Sequence, residues 1–210
     1  MTIDKDDLLN SILASIARID YVKSSDIPNI DLYMDQVTTF MEKALGSSKR
    51  YPGDKILTKT MINNYAKNDL LPPPVKKKYS KEHLMVLTFI YYFKSILSFN
   101  DIETLLGPIT EKYFHADSEL SITRIYDEVC AFEKERTHTL QSDIKNAYEM
   151  SKKTFSDIDE NDRELLHFFS FICMLSLDVY VKKQIIEKLI DQMAAKAEPE
   201  PHDKKEKKEK

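Results

Sequence analysis

Glycine and cysteine are scarce in this chain, and their scarcity argues against two kinds of site. Only three of the 210 residues are glycines, so the sequence has no glycine-rich loop of the kind that binds phosphate. The two cysteines, Cys130 and Cys173, lie far apart with no histidine at metal-ligand spacing. Neither a disulfide framework nor a zinc site is therefore predicted. We expect both to be buried free thiols in a reducing compartment.

Alternating apolar and polar residues are also missing, and so is a recognisable export signal. Because no segment alternates convincingly, the sequence indicates an all-α protein with at most a tiny β-wing. The N-terminal segment MTIDKDDLL carries acidic residues where a signal peptide carries positive charge. We therefore expect a cytoplasmic protein.

The helical patterns divide the chain into four regions. Residues 1–28 are predicted to form an N-terminal helix, and residues 29–107 a separate helical domain with a loop or small wing. Residues 108–193 are acidic and predict a C-terminal helical bundle region for dimerisation or signal input. Residues 194–210 have the composition of a disordered charged tail.

Within these regions, capping residues and prolines predict where individual elements begin and end. The residues expected to open a helix are Pro28, Thr58, Ser80 and Ser98, and those expected to end one are Gly46 and the pair Gly107-Pro108. The triple proline at 72–74 predicts an extended loop or wing rather than a helix. Further helices are expected over residues 122–136, 140–155 and 161–193.

Positive charge is concentrated in one part of an otherwise acidic chain. Between Lys43 and Lys81 there are ten Lys or Arg residues and two acids, whereas the whole protein has 31 basic and 35 acidic residues. Such segregation indicates a surface for a polyanion such as nucleic acid. An ordinary solvated basic surface is the alternative.

The residues expected to contact double-stranded DNA fall into two groups. Polar residues on the outer face of the short helix would enter the major groove, where Asn can pair bidentately with adenine. Basic residues on the wing and the preceding loop would contact phosphates. Together these residues are Lys49, Arg50, Lys59, Thr60, Asn63, Asn64, Lys67, Lys76, Lys77, Lys78 and Tyr79. For Tyr79 burial in the core is the alternative, and for Asn63 and Asn64 it is simple solvent exposure.

The order of motifs from Lys55 to Gly107 resembles the DNA-binding domain of MerR-type regulators. In that family a helix ends in a Gly-Leu-Leu-Pro-like turn, a wing ends in Arg-x-Tyr, and a Leu-Glu-Glu-Ile-like segment follows. The matching segments here are Asp69-Leu70-Leu71-Pro72, Lys77-Lys78-Tyr79-Ser80 and Phe99-Asn100-Asp101-Ile102. The resemblance implies that residues 29–107 form a MerR-like winged helix-turn-helix domain that binds DNA. The whole chain also resembles an uncharacterised bacterial domain-of-unknown-function family, from low-GC Gram-positive bacteria, with a MerR-like core.

The chain departs from the MerR pattern at several positions. Residues 61–65 match the recognition-helix motif Thr-Leu-Arg-Tyr-Tyr, but Asn63 replaces the phosphate-gripping Arg and Asn64 replaces a Tyr. Asp69 stands in place of the turn Gly, and since Asp tolerates a left-handed conformation the turn is expected to survive. The first helix of the motif, expected over Asp35–Leu45, is followed by an unusually long basic loop.

Catalytic and cofactor sites find no support in the sequence. The five histidines are scattered, and no nucleophile, base and orienting residue can be assembled from spacing. The acids at 157–162 lack the Gly and terminal Glu of a calcium loop. We therefore expect neither an enzyme nor a cofactor or metal site, and the sequence does not identify a small-molecule effector.

The last helix contains an apolar stretch, Leu165–Val181, that raises the question of a membrane span. The stretch is seventeen residues long and includes His167 and Asp178, whereas a span needs about 20 largely apolar residues. We expect a buried core helix or the seam of a homodimer rather than a membrane segment. The sequence thus predicts a DNA-binding transcriptional regulator, and the alternative is a protein-interaction or scaffold module whose winged helix no longer binds DNA.

Overall fold

Helices account for most of the residues that the structure describes. A computed structural model of the chain describes residues 5–16, 22–116 and 118–197. Its elements are α1 (Lys5–Ile16), β1 (Leu32–Tyr33), α2 (Met34–Leu45), a 3-10 turn (Gly46–Ser48), α3 (Lys59–Lys67), β2 (Lys78–Tyr79), α4 (Lys81–Phe93), α5 (Phe99–Tyr113), α6 (Ile122–Ser151) and α7 (Glu160–Ala197). The expectation of a mainly helical protein is confirmed. Of the disordered tail expected over residues 194–210, residues 194–197 belong to α7 instead, and the rest lies outside the described residues.

Helix α4 lies at the centre of the main core because its sequence is apolar on nearly every side. Seven of its thirteen residues are buried, among them Leu84, Met85 and Leu87. Around them pack Val37 and Met41 of α2, which are fully buried, with further residues of α3 and α5. Each large apolar side chain removed from water stabilises the fold by about 1.5–3 kcal/mol.

The start of α2 differs from the sequence prediction. The helix was expected from Pro28, but it begins at Met34, and Ile30 is 68% exposed instead of buried. Residues Leu32 and Tyr33 instead form β1, which pairs antiparallel with β2 in the register Leu32 to Tyr79 and Tyr33 to Lys78. A helix forms only from Met34 onward, although the apolar residues before it also have helical spacing. The backbone groups of Leu32 and Tyr33 pair with those of β2 instead.

Two later boundaries were also predicted wrongly. Helix α5 was expected to end at Gly107 and Pro108 but continues through both to Tyr113. Gly107 has no Cβ to clash with the proline ring, and Thr110 Oγ1 donates to the carbonyl oxygens of Leu106 (3.1 Å) and Gly107 (3.0 Å). The two helices expected over 122–136 and 140–155 are one continuous helix, α6.

Helices α6 and α7 pack along each other and form the C-terminal part of the fold. The ring of Tyr148 on α6 meets that of Phe171 on α7 edge-on, with centroids 5.2 Å apart. Near the start of α6, Tyr126 is fully buried, its ring centroid lies 5.2 Å from that of Phe89 on α4, and its hydroxyl donates to the carbonyl oxygen of Val22. The base of α6 is therefore part of the main core.

Helix α7 is far more exposed than the sequence predicted. Leu165, Phe169 and Tyr180 are each at least 60% exposed, so the expectation of a buried core helix is wrong. Cys173 is exposed as well, which corrects the expectation that both thiols are buried. Within the described residues, the segment Asp162–Lys196 is long and apolar enough to cross a membrane by length and composition.

His83 closes the N-terminus of α4 as the third residue of a capping box with Ser80. Its Nδ1 accepts a hydrogen bond from the backbone N–H of Ser80 (2.9 Å). Its Nε2 is buried near the backbone of Pro72 and Pro73, whose carbonyl groups favour a proton on the ring, but no hydrogen bond of normal geometry forms there. Burial dominates and lowers the pKa of His83 to about 4.

Replacing His83 should therefore change how stability depends on pH. Because the pKa of His83 is lower in the folded chain than in the unfolded one, the unfolded chain takes up the proton first as pH falls. The contribution of neutral His83 should be complete above pH 6.5 and be lost toward pH 4, a total of about 3 kcal/mol. His83→Gln keeps an acceptor for Ser80 and should flatten this part of the profile, measured by urea unfolding. His167→Gln is the control, and an equal slope in both variants would contradict the assignment.

Candidate nucleic-acid interface

Helix α3 presents one apolar and one polar face, as its sequence predicts. Thr58 is the N-cap and its Oγ1 accepts from the backbone N–H of Met61 (3.2 Å). Ile62 and Tyr65 are buried on the inner side. The outer side carries five predicted site residues, all of them exposed: Lys59, Thr60, Asn63, Asn64 and Lys67.

Helix α3 ends in a left-handed turn, after which the chain leads into the three prolines. Asp69 has φ of 57°, so the predicted left-handed conformation is confirmed. The backbone N–H of Leu70 donates to the carbonyl oxygen of Tyr65 (3.0 Å), which is the Schellman arrangement. Leu70 and Leu71 are buried beyond it, and the chain then runs through the three prolines toward β2.

The wing ends in a tight turn whose two central residues are lysines. The backbone N–H of Lys78 donates to the carbonyl oxygen of Val75 (3.0 Å), and Lys76 and Lys77 have φ of 50° and 65°. Positive φ at both central positions defines a type I′ turn, for which Asn-Gly is strongly preferred. Each lysine is therefore held in a conformation that costs about 1 kcal/mol or more. We call residues 75–79 the lysine hairpin.

Side chains on both faces of the lysine hairpin attach it to the rest of the fold, to β1 on one face and to α4 on the other. On the outer face, Lys78 Nζ lies 5.2 Å from the centroid of the Tyr33 ring. On the inner face, Tyr79 is 3% exposed and its ring meets that of His83 edge-on at 5.4 Å. Of the two roles expected for Tyr79, the structure shows burial in the core. Its ring is therefore not available for a contact with DNA.

The polar face of α3 and the lysine hairpin both border the start of α2. Lys59, in the first turn of α3, forms an ion pair with Asp35, in the first turn of α2. Lys78, in the lysine hairpin, stacks on Tyr33, two residues before Asp35. These contacts bring the first turn of α3 and the base of the hairpin to the same end of α2. We call the exposed face of α3, the lysine hairpin and Arg50 together the cationic surface.

The two basic residues of the loop after α2 have different surroundings. Lys49 has a side chain only 14% exposed, and its ammonium group is paired with Glu42 on α2. The hydrogen bond from Lys49 lowers the pKa of Glu42. The 3-10 turn folds Lys49 back along α2, so it does not present the exposed phosphate-binding ammonium that the sequence suggested. Arg50 is exposed, with its guanidinium carbon 5.3 Å from the centroid of the Tyr51 ring.

Two exposed aromatic residues in this region were missed by sequence reasoning. Tyr33 is 55% exposed and Tyr51 is 58% exposed. The helical spacing predicts Tyr33 on the buried face of a helix, but α2 begins only at the next residue, Met34. Tyr51 could have been noticed because it follows Lys49 and Arg50 directly in the sequence. Among the described residues there is no group of three or more His, Cys, Asp or Glu side chains placed to hold a metal ion.

The chain was compared with known families, curated proteins and solved structures. A family model with the description "Domain of unknown function (DUF1836)" matches residues 22–129. The matched segment begins before β1 and ends within the first turns of α6, and it includes the whole cationic surface. No match was found among curated proteins or among solved structures.

Relieving the strain of the lysine hairpin should stabilise the protein. Lys76→Asn with Lys77→Gly places the preferred type I′ pair in the turn and should raise the free energy of unfolding by about 1 kcal/mol. The matched control is Lys76→Gln with Lys77→Gln, which removes the same two charges but keeps the strain. Chemical unfolding measures both. If the two double variants are equally stable, the lysines are not strained.

Proposed function

The chain belongs to the DUF1836 family, since the family model covers just over half of its length, and from this premise we propose that it is a DNA-binding transcriptional regulator acting in the cytoplasm. In this proposal its β1–α5 segment is a MerR-like winged helix. One observation carries the proposal: the first turn of α3, where its exposed polar face begins, and Lys78 at the base of the lysine hairpin both lie at the start of α2. On such a surface the basic side chains can bind the phosphate backbone of DNA, and the neighbouring polar side chains can contact the edges of the bases.

Helix α3 has the size and chemistry of a major-groove reader. Its nine residues span about 13 Å, at about 1.5 Å per residue. Asn63 and Asn64 are exposed in its middle, and an Asn amide can donate to and accept from adenine at the same time. The main core holds α3 through Ile62 and Tyr65, so the helix would meet DNA as a rigid element.

The basic residues around α3 would fix the register on the phosphate backbone. Lys76 and Lys77 are exposed at the tip of the lysine hairpin, and Arg50 and Lys67 are exposed as well. Phosphate contacts of this kind give affinity and orientation but no sequence preference. The strain at Lys76 and Lys77 supports the proposal, because backbone strain is concentrated at functional sites and two lysines stand here where Asn-Gly would be more stable.

A protein-interaction or scaffold role is the second candidate, and specific contacts favour it. The ion pairs of Lys59 with Asp35 and of Lys49 with Glu42 lower the net charge that DNA would meet. Asn63 also occupies the position at which the MerR pattern has a phosphate-gripping Arg. In this second role the hairpin would bind an acidic partner protein rather than DNA.

The salt dependence of DNA binding separates these two roles. If the protein makes about four to six phosphate contacts, log affinity for duplex DNA should fall with log salt with a slope of about −4 to −5. Lys76→Asn with Lys77→Gly should reduce the magnitude of this slope by about two. Asn63→Ala should leave the slope unchanged and relax sequence preference, measured by selection of bound genomic fragments.

Two controls show whether a change in DNA binding arises at the cationic surface or from unfolding of the protein. Lys188→Gln removes one exposed lysine of α7 remote from the cationic surface and should change neither slope nor preference. The Asn-Gly double variant is expected to be at least as stable as the natural chain, so a loss of binding cannot be ascribed to unfolding. Absence of duplex binding at low salt would overturn the regulator proposal and favour the interaction module.

Dimerisation through α7 is the second part of this proposal. One stripe of α7 is exposed and mostly apolar, with residues spaced by three and four positions as in a helix-pairing seam. Its members are Leu165, Phe169, Ile172, Ser176 and Val179. A dimer would cover this stripe, and paired half-sites would raise the affinity for DNA.

The charges at the two ends of the stripe favour antiparallel pairing of two copies. Glu160, Asp162 and Glu164 outnumber Arg163 at its beginning and give that end a net negative charge, and Lys182 and Lys183 lie at its other end. Around a two-fold axis near Ile172, the acidic end of one copy would meet the basic end of the other. Parallel pairing would place like charges together, which is unfavourable.

A membrane span is the other arrangement that could cover the apolar residues of α7. The packing of α7 argues against a membrane span, because α6 lies along α7 and carries charged residues throughout, from Arg124 to Glu149. Insertion of α7 into lipid would either strip α6 away or bring its charges into the bilayer, at about 2.5–3.5 kcal/mol each.

Crosslinking tests the dimer and its direction. A short bismaleimide should join Cys173 to Cys173 of a second copy, identified by mass spectrometry. In a Cys173→Ser background, Leu165→Cys should not crosslink to itself, because antiparallel pairing separates the two positions by about 20 Å. Phe169→Asp should make the protein monomeric in sedimentation, whereas Leu189→Asp, equally exposed but off the stripe, should not. A monomeric natural chain, or recovery only in detergent-extracted membranes, would refute the dimer.

A further inference from the structure

Helices α1, α6 and α7 enclose an apolar cavity that has no part in the proposed DNA-binding surface. Its volume is about 230 Å³. Helix α1 supplies four of the lining residues and α7 supplies another four. The lining consists of Leu8, Leu9, Ile12 and Leu13 of α1, Ile144 and Tyr148 of α6, and Phe168, Phe171, Ile172 and Leu175 of α7.

The chemistry of the lining defines what can occupy the cavity. None of the lining residues is charged, and Tyr148 contributes the only hydroxyl group among them. An ionised ligand would therefore lose its hydration without finding a partner. Apolar cavities of about 150 Å³ bind benzene, so a volume about one and a half times as large suits a molecule of about ten carbon atoms. We propose that this cavity is a binding site for an uncharged apolar molecule of that size, aromatic or aliphatic.

The placement of the lining residues indicates how a ligand could enter. Leu13 and Phe171 are buried, at 4% and 5% exposure, and form the floor. Ile12 and Ile172 line the same cavity but are 45% and 48% exposed, so they form its rim. The floor is tied to α6, because Gln141 Nε2 donates to the carbonyl oxygen of Leu13 (3.3 Å).

Two features distinguish this site from an ordinary packing defect. Voids much larger than a water molecule are few in protein interiors, because their walls lose dispersion contacts. This one is walled by three separate helices, and α7 continues from it into the main core, where Ile186 and Ile190 pack. A ligand here would hold α1 against the α6–α7 pair. The site stands independently of DNA binding.

Binding of defined apolar probes tests the site. Naphthalene is titrated into the full chain with isoleucine and leucine methyl groups labelled for NMR. Saturable one-to-one binding is expected, with shift changes concentrated at the lining residues of α1, α6 and α7. Ile144→Phe fills part of the cavity from a half-buried position and should weaken binding at least tenfold. Leu140→Phe, one turn earlier on the same helix and outside the lining, should bind as the natural chain does.

A second variant keeps the test decisive if Ile144→Phe does not fold. Ile12→Phe adds bulk at the partly exposed rim and should also weaken binding at least tenfold, while Ser11→Phe, on the same helix but outside the lining, should not. Absence of saturable binding up to the solubility of naphthalene, or equal affinity in the filled and control variants, would overturn the proposal. Neither result depends on whether the chain binds DNA.

Discussion

The pairing of β1 with β2 is the contact on which the arrangement of the cationic surface depends. Two residues on each side form the ladder, Leu32 and Tyr33 with Tyr79 and Lys78, and so short a two-stranded pairing is marginal in water by itself. Its register is fixed by side chains, since Leu32 and Tyr79 are buried while Tyr33 is exposed. A slip by one residue would turn Tyr79 outward and remove its contact with His83.

The same ladder determines which charges come together. Because β1 leads directly into α2, fastening the lysine hairpin to β1 also places it beside the first turn of α2, where Asp35 holds Lys59. Acidic side chains offset Lys59 and Lys49, whereas Lys76 and Lys77 project from the turn at the opposite end of the hairpin. Acids therefore offset two of the ten basic residues between Lys43 and Lys81, while the two lysines of the strained turn stay exposed, as do Arg50 and Lys67.

The elements that sequence reasoning predicted well are those determined by neighbouring residues. Thr58 and Ser98 were expected as N-caps, and both side chains accept from the third residue of their helix. The prediction failed for β1, since its partner lies more than forty residues away, and at Pro108, where Gly107 relieves the clash that normally ends a helix. For the candidate site, local pattern identified the exposed face of α3, but the burial of Tyr79 and the ion pair of Lys49 depend on how distant segments pack.

The exposure of α7 shows why its role could not be predicted from hydrophobicity alone. The sequence of an apolar segment indicates that burial of its surface is favourable, but it does not identify the partner that buries it. The N-terminal half of α7 packs on α6 and lines the apolar cavity together with α1, and its C-terminal half packs on the main core through Ile186 and Ile190. Residues 177–182 between them are all exposed, although they include Leu177, Val179 and Val181. A helix anchored at both ends holds this apolar middle section in a fixed position, and in the proposed dimer the stripe that a second copy would cover reaches this section at Val179.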